Sequence, residues 1–259
     1  MNTSALQDAL AVGNRADILS VCSGTPLTRS EIVDRVDRSR ATVYRATTAL
    51  EQKGFLERTP DGFRTTQRGA VVLEATNRFL DSVTATDRLE PLLMGVSSRE
   101  LAANAHHLID AELVVATETD PYVVTDRAMD LWETTDQLRF AIPAIGTRDS
   151  VVRGTTAIRN SGMDVEMCLT PTVLSTFRNL SPDLLDEIIA AENVAIQVSE
   201  GIPFSFGLHD DEVATVGAND ETGIATVLAI SDAPDARRWL DGLFERCWSR
   251  GAPVEEFLE

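Results

Sequence analysis

The chain has 259 residues, enough for two domains that each bury a core of their own. Its formal net charge is −18, which taken as an average argues against a nucleic-acid partner. No stretch approaches the roughly 20 apolar residues that span a bilayer, and the opening MNTSALQDALAVGNRAD lacks the basic-then-apolar plan of an export signal, so a cytoplasmic protein with no membrane partner is expected.

Apolar residues at Leu6, Leu10, Ile18, Leu19 and Cys22 follow a helical period broken at Gly13, which predicts one helix or two short ones. Thr28 with Glu31 three residues on forms a capping box, and Ile32, Val33 and Val36 supply an apolar face for a short helix ending near Asp37. Ser39 then caps RATVYRATTALEQKG, where Val43, Ala46, Thr47 and Leu50 share one face and Gly54 supplies the stop. Two capped helices separated by two or three residues make a helix-turn-helix. Phe55 to Thr59, the turn Pro60-Asp61-Gly62 and Phe63 to Thr65 read as a hairpin, the wing of a winged helix. Thr66 caps a long helix through Val72, Leu73, Phe79 and Leu80, continuing to about Leu93. A helix leaving a small domain in this way commonly pairs two copies of it, and a homodimer is expected.

From about Leu101 the texture changes. Strand-like segments at 113–117, 139–143, 164–169 and 194–199 alternate with helical ones at 125–132, 149–161 and 181–191, a rhythm that predicts an α/β sheet with some parallel pairing. Segments 204–209, 212–216 and 225–230 follow as an antiparallel meander with acidic turns, and a last helix runs from Pro234 to about Arg250. The fold class is thus multidomain α/β: a winged helix-turn-helix at 1–80, a linker or dimerisation helix at 81–105, and an α/β domain with a mixed sheet at 106–259.

The charge is unevenly spread between these parts. Residues 1–79 carry eleven basic and nine acidic side chains, about +2, whereas the remaining 180 carry twelve basic and 32 acidic, about −20. Such asymmetry points to one part handling a polyanion. With Val43, Ala46, Thr47 and Leu50 inward, Arg40, Thr42, Tyr44, Arg45 and Thr48 project outward near the end of the helix that enters a major groove in helix-turn-helix docking. Arginine reads guanine bidentately, and Thr or Tyr reaches phosphates or a thymine methyl. Arg38 and Ser39 precede that helix, and its capped N-terminus offers N–H groups to a phosphate. Arg58 and Arg64 flank the wing turn and are placed along the backbone or minor groove. A double-stranded DNA partner is therefore expected, against the alternative that these faces are solvated or used for protein contacts.

Cys22, Cys168 and Cys247 lack partners at metal-ligand spacing and read as buried thiols; His106, His107 and His209 form no metal-binding pattern, so no metal or cofactor is expected. Arginine supplies all the basic residues but Lys53. Molar salt shortens the screening length to about 3 Å and makes so acidic a surface tolerable, which predicts a halophilic, archaeal host.

The segment TRSEIVDRVDRSRATVYRATTALEQKGFLERTPDGFRTTQRG resembles the winged helix of archaeal transcription regulators, in the style of the TrmB-like and IclR-like groups. GIPFSFGLHDDEVATVGANDETG and SDAPDARRWLDGLFERCWSRG resemble the sensor domain of haloarchaeal regulators and of the methanogenesis (filament) regulator family. The resemblance implies a homodimer acting at promoters, with a phospholipase-D-like domain recognising a small effector in the TrmB-like branch. The catalytic His-x-Lys-x4-Asp signature of that fold is lacking: His107 is followed two places later by Ile109, and the lysine lies in the other domain. An effector crevice is expected at strand ends near Thr117, Glu118, Arg148 and Thr170, closed by Phe204 and Phe206. Arg148 and Arg153 suit an anionic ligand, although an internal salt bridge is the stronger expectation for them. The function expected is a sequence-specific transcription regulator that is not an enzyme. Two alternatives stay open: a non-sensing DNA-binding protein whose large domain only oligomerises, and an enzyme with an accessory DNA-binding domain.

Overall fold

Capping residues set the element boundaries at the N-terminal end of the chain. The computed structural model describes residues 3–145 and 147–258, and the chain divides into two units, Met1–Val83 and Thr84–Glu259. In unit 1 the broken helical run becomes two helices, α1 (Thr3–Gly13) and α2 (Ala16–Val21). Helix α3 (Arg29–Arg35) starts in the expected capping box. The Thr28 hydroxyl accepts from the Glu31 amide, and the Glu31 carboxylate accepts from the Thr28 amide at 2.8 Å. The Thr28 hydroxyl also donates to the Glu31 carboxylate at 2.7 Å, and this bond first, then that from the Thr28 amide, holds the Glu31 carboxyl below its ordinary range. Helix α4 (Arg40–Gln52) is capped by Ser39, whose hydroxyl accepts from the Thr42 amide at 3.2 Å. It ends where Gly54 takes a left-handed conformation, φ +71°.

The wing is β1 (Leu56–Thr59) paired antiparallel with β2 (Gly62–Thr65). Leu27 joins its edge, exchanging backbone hydrogen bonds of 3.0 and 2.8 Å with Phe63. That approach needs Gly62: its φ is +135°, and a Cβ there would stand 2.3 Å from the Leu27 carbonyl carbon. Ile18, Leu19, Ile32, Val43, Leu50, Phe55 and Phe63 gather into one core, so the inward faces read from periodicity meet.

Helix α5 (Gln67–Arg88) stops before α6 (Glu90–Gly95), and α7 (Arg99–Asn104) and a 3-10 turn (Ala105–Leu108) follow. Within the stretch expected as a linker or dimerisation helix, 81–105, Leu89, Leu92 and Leu101 are fully buried in the core of unit 2, as is Leu108 after it.

The elements of unit 2 continue as β3 (Glu112–Val115), α8 (Val123–Glu133), β4 (Gln137–Ile142), α9 (Arg148–Ser161) and β5 (Asp164–Leu169). After them come α10 (Pro171–Leu180), α11 (Pro182–Ile189), β6 (Val194–Val198), β7 (Ser205–His209), β8 (Val213–Asn219), β9 (Ala225–Ser231), α12 (Pro234–Arg250) and β10 (Ala252–Pro253). One eight-stranded sheet has the order β10-β6-β5-β4-β7-β8-β9-β3. Its β4-β5-β6 part is parallel and its β4-β7-β8-β9-β3 part antiparallel, the mixed sheet expected from the sequence.

Period-2 alternation gives the sheet two apolar faces. Phe204, Phe206, Leu208, Ala214 and Val216 pack with Trp239, Leu240 and Phe244 of α12 on one face. On the other, Leu138, Phe140, Val165 and Met167 pack with Val151, Ile158 and Phe177 of α9 and α10, and Leu228 and Ile230 pack with Val124 of α8. Cys22, Cys168 and Cys247 are buried free thiols; burial pushes Cys22 up to about 11 and Cys168 up to about 12, so both stay protonated at neutral pH. No helix among the described residues is long and apolar enough to cross a membrane.

Candidate functional site

In unit 1 the arginines of α4 stand on the face opposite its core. Val43, Ala46, Thr47 and Leu50 are buried, whereas Arg40, Tyr44 and Arg45 are exposed, Tyr44 by 57%. Arg40, Arg45 and Arg58 of the wing make no ion pair among the described residues, so their charges face solvent uncompensated. The same end of α4 borders a hollow of about 330 Å³ lined by Arg15, Arg38 and Arg45, together with Asn14 and Thr42. Three guanidiniums around one concavity suit a phosphate oxygen. Asn14 and Arg15 escaped the sequence reading because they sit at the break between α1 and α2, where periodicity says nothing about direction.

The remaining expected residues carry internal bonds. Arg38 Nε donates to Asp17 Oδ2, which ties the turn before α4 to α2. Arg64 donates to Glu57 Oε1 across the hairpin at 2.6 and 2.9 Å, since register places the two opposite each other. Ser39 serves as the cap. Thr48 is half-buried, and its hydroxyl accepts from Arg29 Nη2 at 3.2 Å, so it is engaged by α3 rather than left on the open face.

Arg29 was missed by sequence reasoning as well. It occupies the first position of α3, and its Nε donates at 2.9 Å to the hydroxyl of buried Thr47, which itself donates to the Val43 carbonyl at 2.9 Å. The same guanidinium lies 4.2 Å from the Tyr44 ring centroid and 4.8 Å from that of Phe63. One side chain therefore locks α3, α4 and the wing together and sets where Tyr44 stands. Its sequence signal was slight: an arginine just inside a capping box reads as an ordinary solvated residue.

In unit 2 the expected effector residues do not converge. Thr117 and Glu118 are exposed beyond β3, while Thr170 caps α10 at the end of β5. Five strand spacings separate β3 from β5 in the sheet, roughly 24 Å at 4.8 Å each, too far for both to touch one small ligand. Arg148 is exposed at the start of α9, and Arg153 is held by Asp126 of α8 at 2.5 Å. Phe204 is buried on the α12 face, its ring 6.0 Å from Trp239. A cavity of about 220 Å³ lies on the opposite face, between α8, α9 and the middle of the sheet; of the expected effector residues Phe206 alone borders it, and its side chain packs with Phe204 on the α12 face. The residues between the two phenylalanines and after them, Ser205 and Gly207, line it as well, because alternation sends them to that face.

His209 also lines that cavity and is 5% exposed. Its Nδ1 and Nε2 lie 3.2 and 3.3 Å from the hydroxyls of Thr135 and Thr215, and burial pushes its pKa down to about 4, so the ring is neutral.

Residues 3–88 match the model of the HVO_A0261 N-terminal domain, and residues 121–250 match that of the middle domain of the methanogenesis regulatory protein FilR1. No curated protein matches the chain. Among solved structures, TrmBL2, an archaeal chromatin protein, is similar at 14% identity and a TM-score of 0.41, over 91% of this chain and 92% of that one. NucT from Helicobacter pylori is similar at 10% identity and 0.45, over 55% of this chain and 98% of that one. Nuc from Salmonella typhimurium, a phospholipase D family member, is similar at 12% and 0.43, over 55% and 97%. The FilR1 middle-domain model spans half of the sequence, and the chain belongs to that family.

Proposed function

We propose that the chain is a sequence-specific DNA-binding transcription regulator, acting as a cytoplasmic homodimer whose DNA affinity is biased by a small effector held in unit 2. One observation carries the reading. The N-terminal half of α4 presents Arg40, Tyr44 and Arg45 to solvent with no internal ion pair among the described residues, beside a hollow ringed by Arg15 and Arg38. Uncompensated arginines on the outer face of a recognition helix suit base edges and phosphates. The relative with the matching middle domain is by name a regulatory protein, which agrees with this assignment.

Pairing of two copies is supported by α5. Val71 and Phe79 are 60 and 65% exposed on it. For unit 2 a binding role is favoured over catalysis. Among the described residues its cavity is lined by no Asp, Glu, Lys or Arg, and burial holds the lining His209 neutral.

Genome-wide mapping of bound sites tests the proposal. The mapped duplexes should be bound by the intact chain at host-cell salt, and Arg40→Ala or Arg45→Ala should each weaken binding by about 1 to 3 kcal/mol without unfolding unit 1. Duplexes ignored by the parent chain, or binding unchanged in both variants, would refute it.

A further inference from the structure

We propose that the cavity of unit 2 takes a small uncharged molecule built on a single aromatic or heteroaromatic ring. This rests on the sensor reading above and says what the sensor recognises.

The floor of the cavity comes from two neighbouring strands. Register pairs Ser205 with Gly217 and Gly207 with Thr215, so each cross-strand pair offers one glycine and one hydroxyl to the same face. Glycine in a strand interior weakens the strand and marks places where something approaches the backbone closely. Gly207 has an internal reason: a Cβ there would lie 3.0 Å from the Thr215 hydroxyl and crowd its bond with His209. Gly217 has none. A Cβ on it would meet the Ser205 Cβ at an ordinary 3.5 Å, and its φ is not one that demands glycine. The space above Gly217 is therefore left open by a residue whose cost no internal contact explains.

The walls are flat and apolar. Trp132 of α8 and Phe140 of β4 stand with ring centroids 5.4 Å apart, tilted by 44°, and Met129 and Ala128 continue the α8 side. An apolar cavity of about 150 Å³ takes one benzene ring, so about 220 Å³ holds one ring with small substituents. A quarter of the chain is charged, yet among the described residues no Asp, Glu, Lys or Arg lines this cavity, and His209, which does, is kept neutral by burial. An ion entering it would give up hydration with no counter-charge to replace it. The polar groups at hand are neutral. Asn219 and the Ser205 hydroxyl make no side-chain hydrogen bond among the described residues, which leaves them free for a carbonyl, amide or hydroxyl of the ligand.

Matched neutral and anionic probes test this on the intact chain. Calorimetric titration with benzamide, nicotinamide and phenol, against benzoate and nicotinate, should show at least one neutral ring binding ten-fold or more tightly than either anion. Gly217→Val fills the floor and Ala128→Leu fills the α8 wall, and either should abolish that binding. Ala128→Leu sits on a helix that favours leucine, so it serves if the strand variant fails to fold. No binding by any neutral probe, anions binding as tightly, or binding that survives Ala128→Leu would each overturn the proposal. Operator affinity with and without the bound probe reads the sensor role separately. A ring that binds the parent but not the filled variants, and leaves DNA affinity unchanged, would keep the site and remove the regulation.

Discussion

Replacing Arg29 by alanine separates a positioning residue from those that would touch DNA. The side chain supplies hydrogen bonds of 2.9 Å to Thr47 and 3.2 Å to Thr48, and its guanidinium lies over Tyr44 and Phe63. Half-buried, the two hydrogen bonds are worth about 1 kcal/mol each, and the ring contacts about 0.5–1 kcal/mol each. Water recovers part of this when the side chain is removed, and the terms are not additive, so a net loss of about 2 kcal/mol is expected. That is about a 30-fold rise in local opening. Amide hydrogen exchange on the intact chain should show it in α3 and α4, with unit 2 unaffected. Arg29→Lys keeps the charge but loses the planar fork that reaches both hydroxyls, and should retain most of the defect. Arg45→Ala, by contrast, should leave exchange at its parental rate while lowering operator affinity. Exchange in Arg29→Ala within two-fold of the parent would refute the view that Arg29 locks the recognition helix.

Gly62→Ala should destabilise unit 1 by more than about 2 kcal/mol, because φ +135° and a Cβ 2.3 Å from the Leu27 carbonyl carbon force the wing away from α3; a parental thermal midpoint would contradict this. His209→Gln removes a group whose folded pKa, about 4, lies below its ordinary 6.5. A depressed histidine contributes stability above pH 6.5 that is lost as pH falls towards 4, so the parent should lose about 2 kcal/mol more than the variant in urea unfolding between pH 7.5 and 5. Equal losses would show that burial does not hold the ring neutral. Arg58→Ala on the wing should weaken binding to all duplexes alike and lower the salt slope by about one, as titrations at several salt concentrations would show; a change confined to one sequence would place Arg58 on a base.

Unit 1 was legible because its signals are local. Thr28, Ser39 and Gly54 act on backbone groups within four residues, and the buried face of α4 follows from a 3.6-residue period. Unit 2 was legible in its elements, with β5 and α12 at the expected residues. Helix α10 was missed because Thr170 was read as a strand end, although Thr170 followed by Pro171 is a cap and first-turn pair. Residues 81–105 read as a linker or dimerisation helix, since their apolar side chains do not say which surface covers them.

The outward arginines of α4 needed only the chain's own periodicity, and that part of the molecule follows from its order of residues. The order of the strands does not: β3 comes first in unit 2 yet pairs at the far edge with β9, so strand ends adjacent in expectation lie several strands apart. The cavity belongs to the same class. Ser205 and Gly217 are twelve residues apart, and only the register of β7 on β8 sets them side by side under Trp132. Caps and periods act within a turn of backbone, whereas pairing partners are chosen by the whole sheet, and a site built from pairing is visible only once the sheet is assembled.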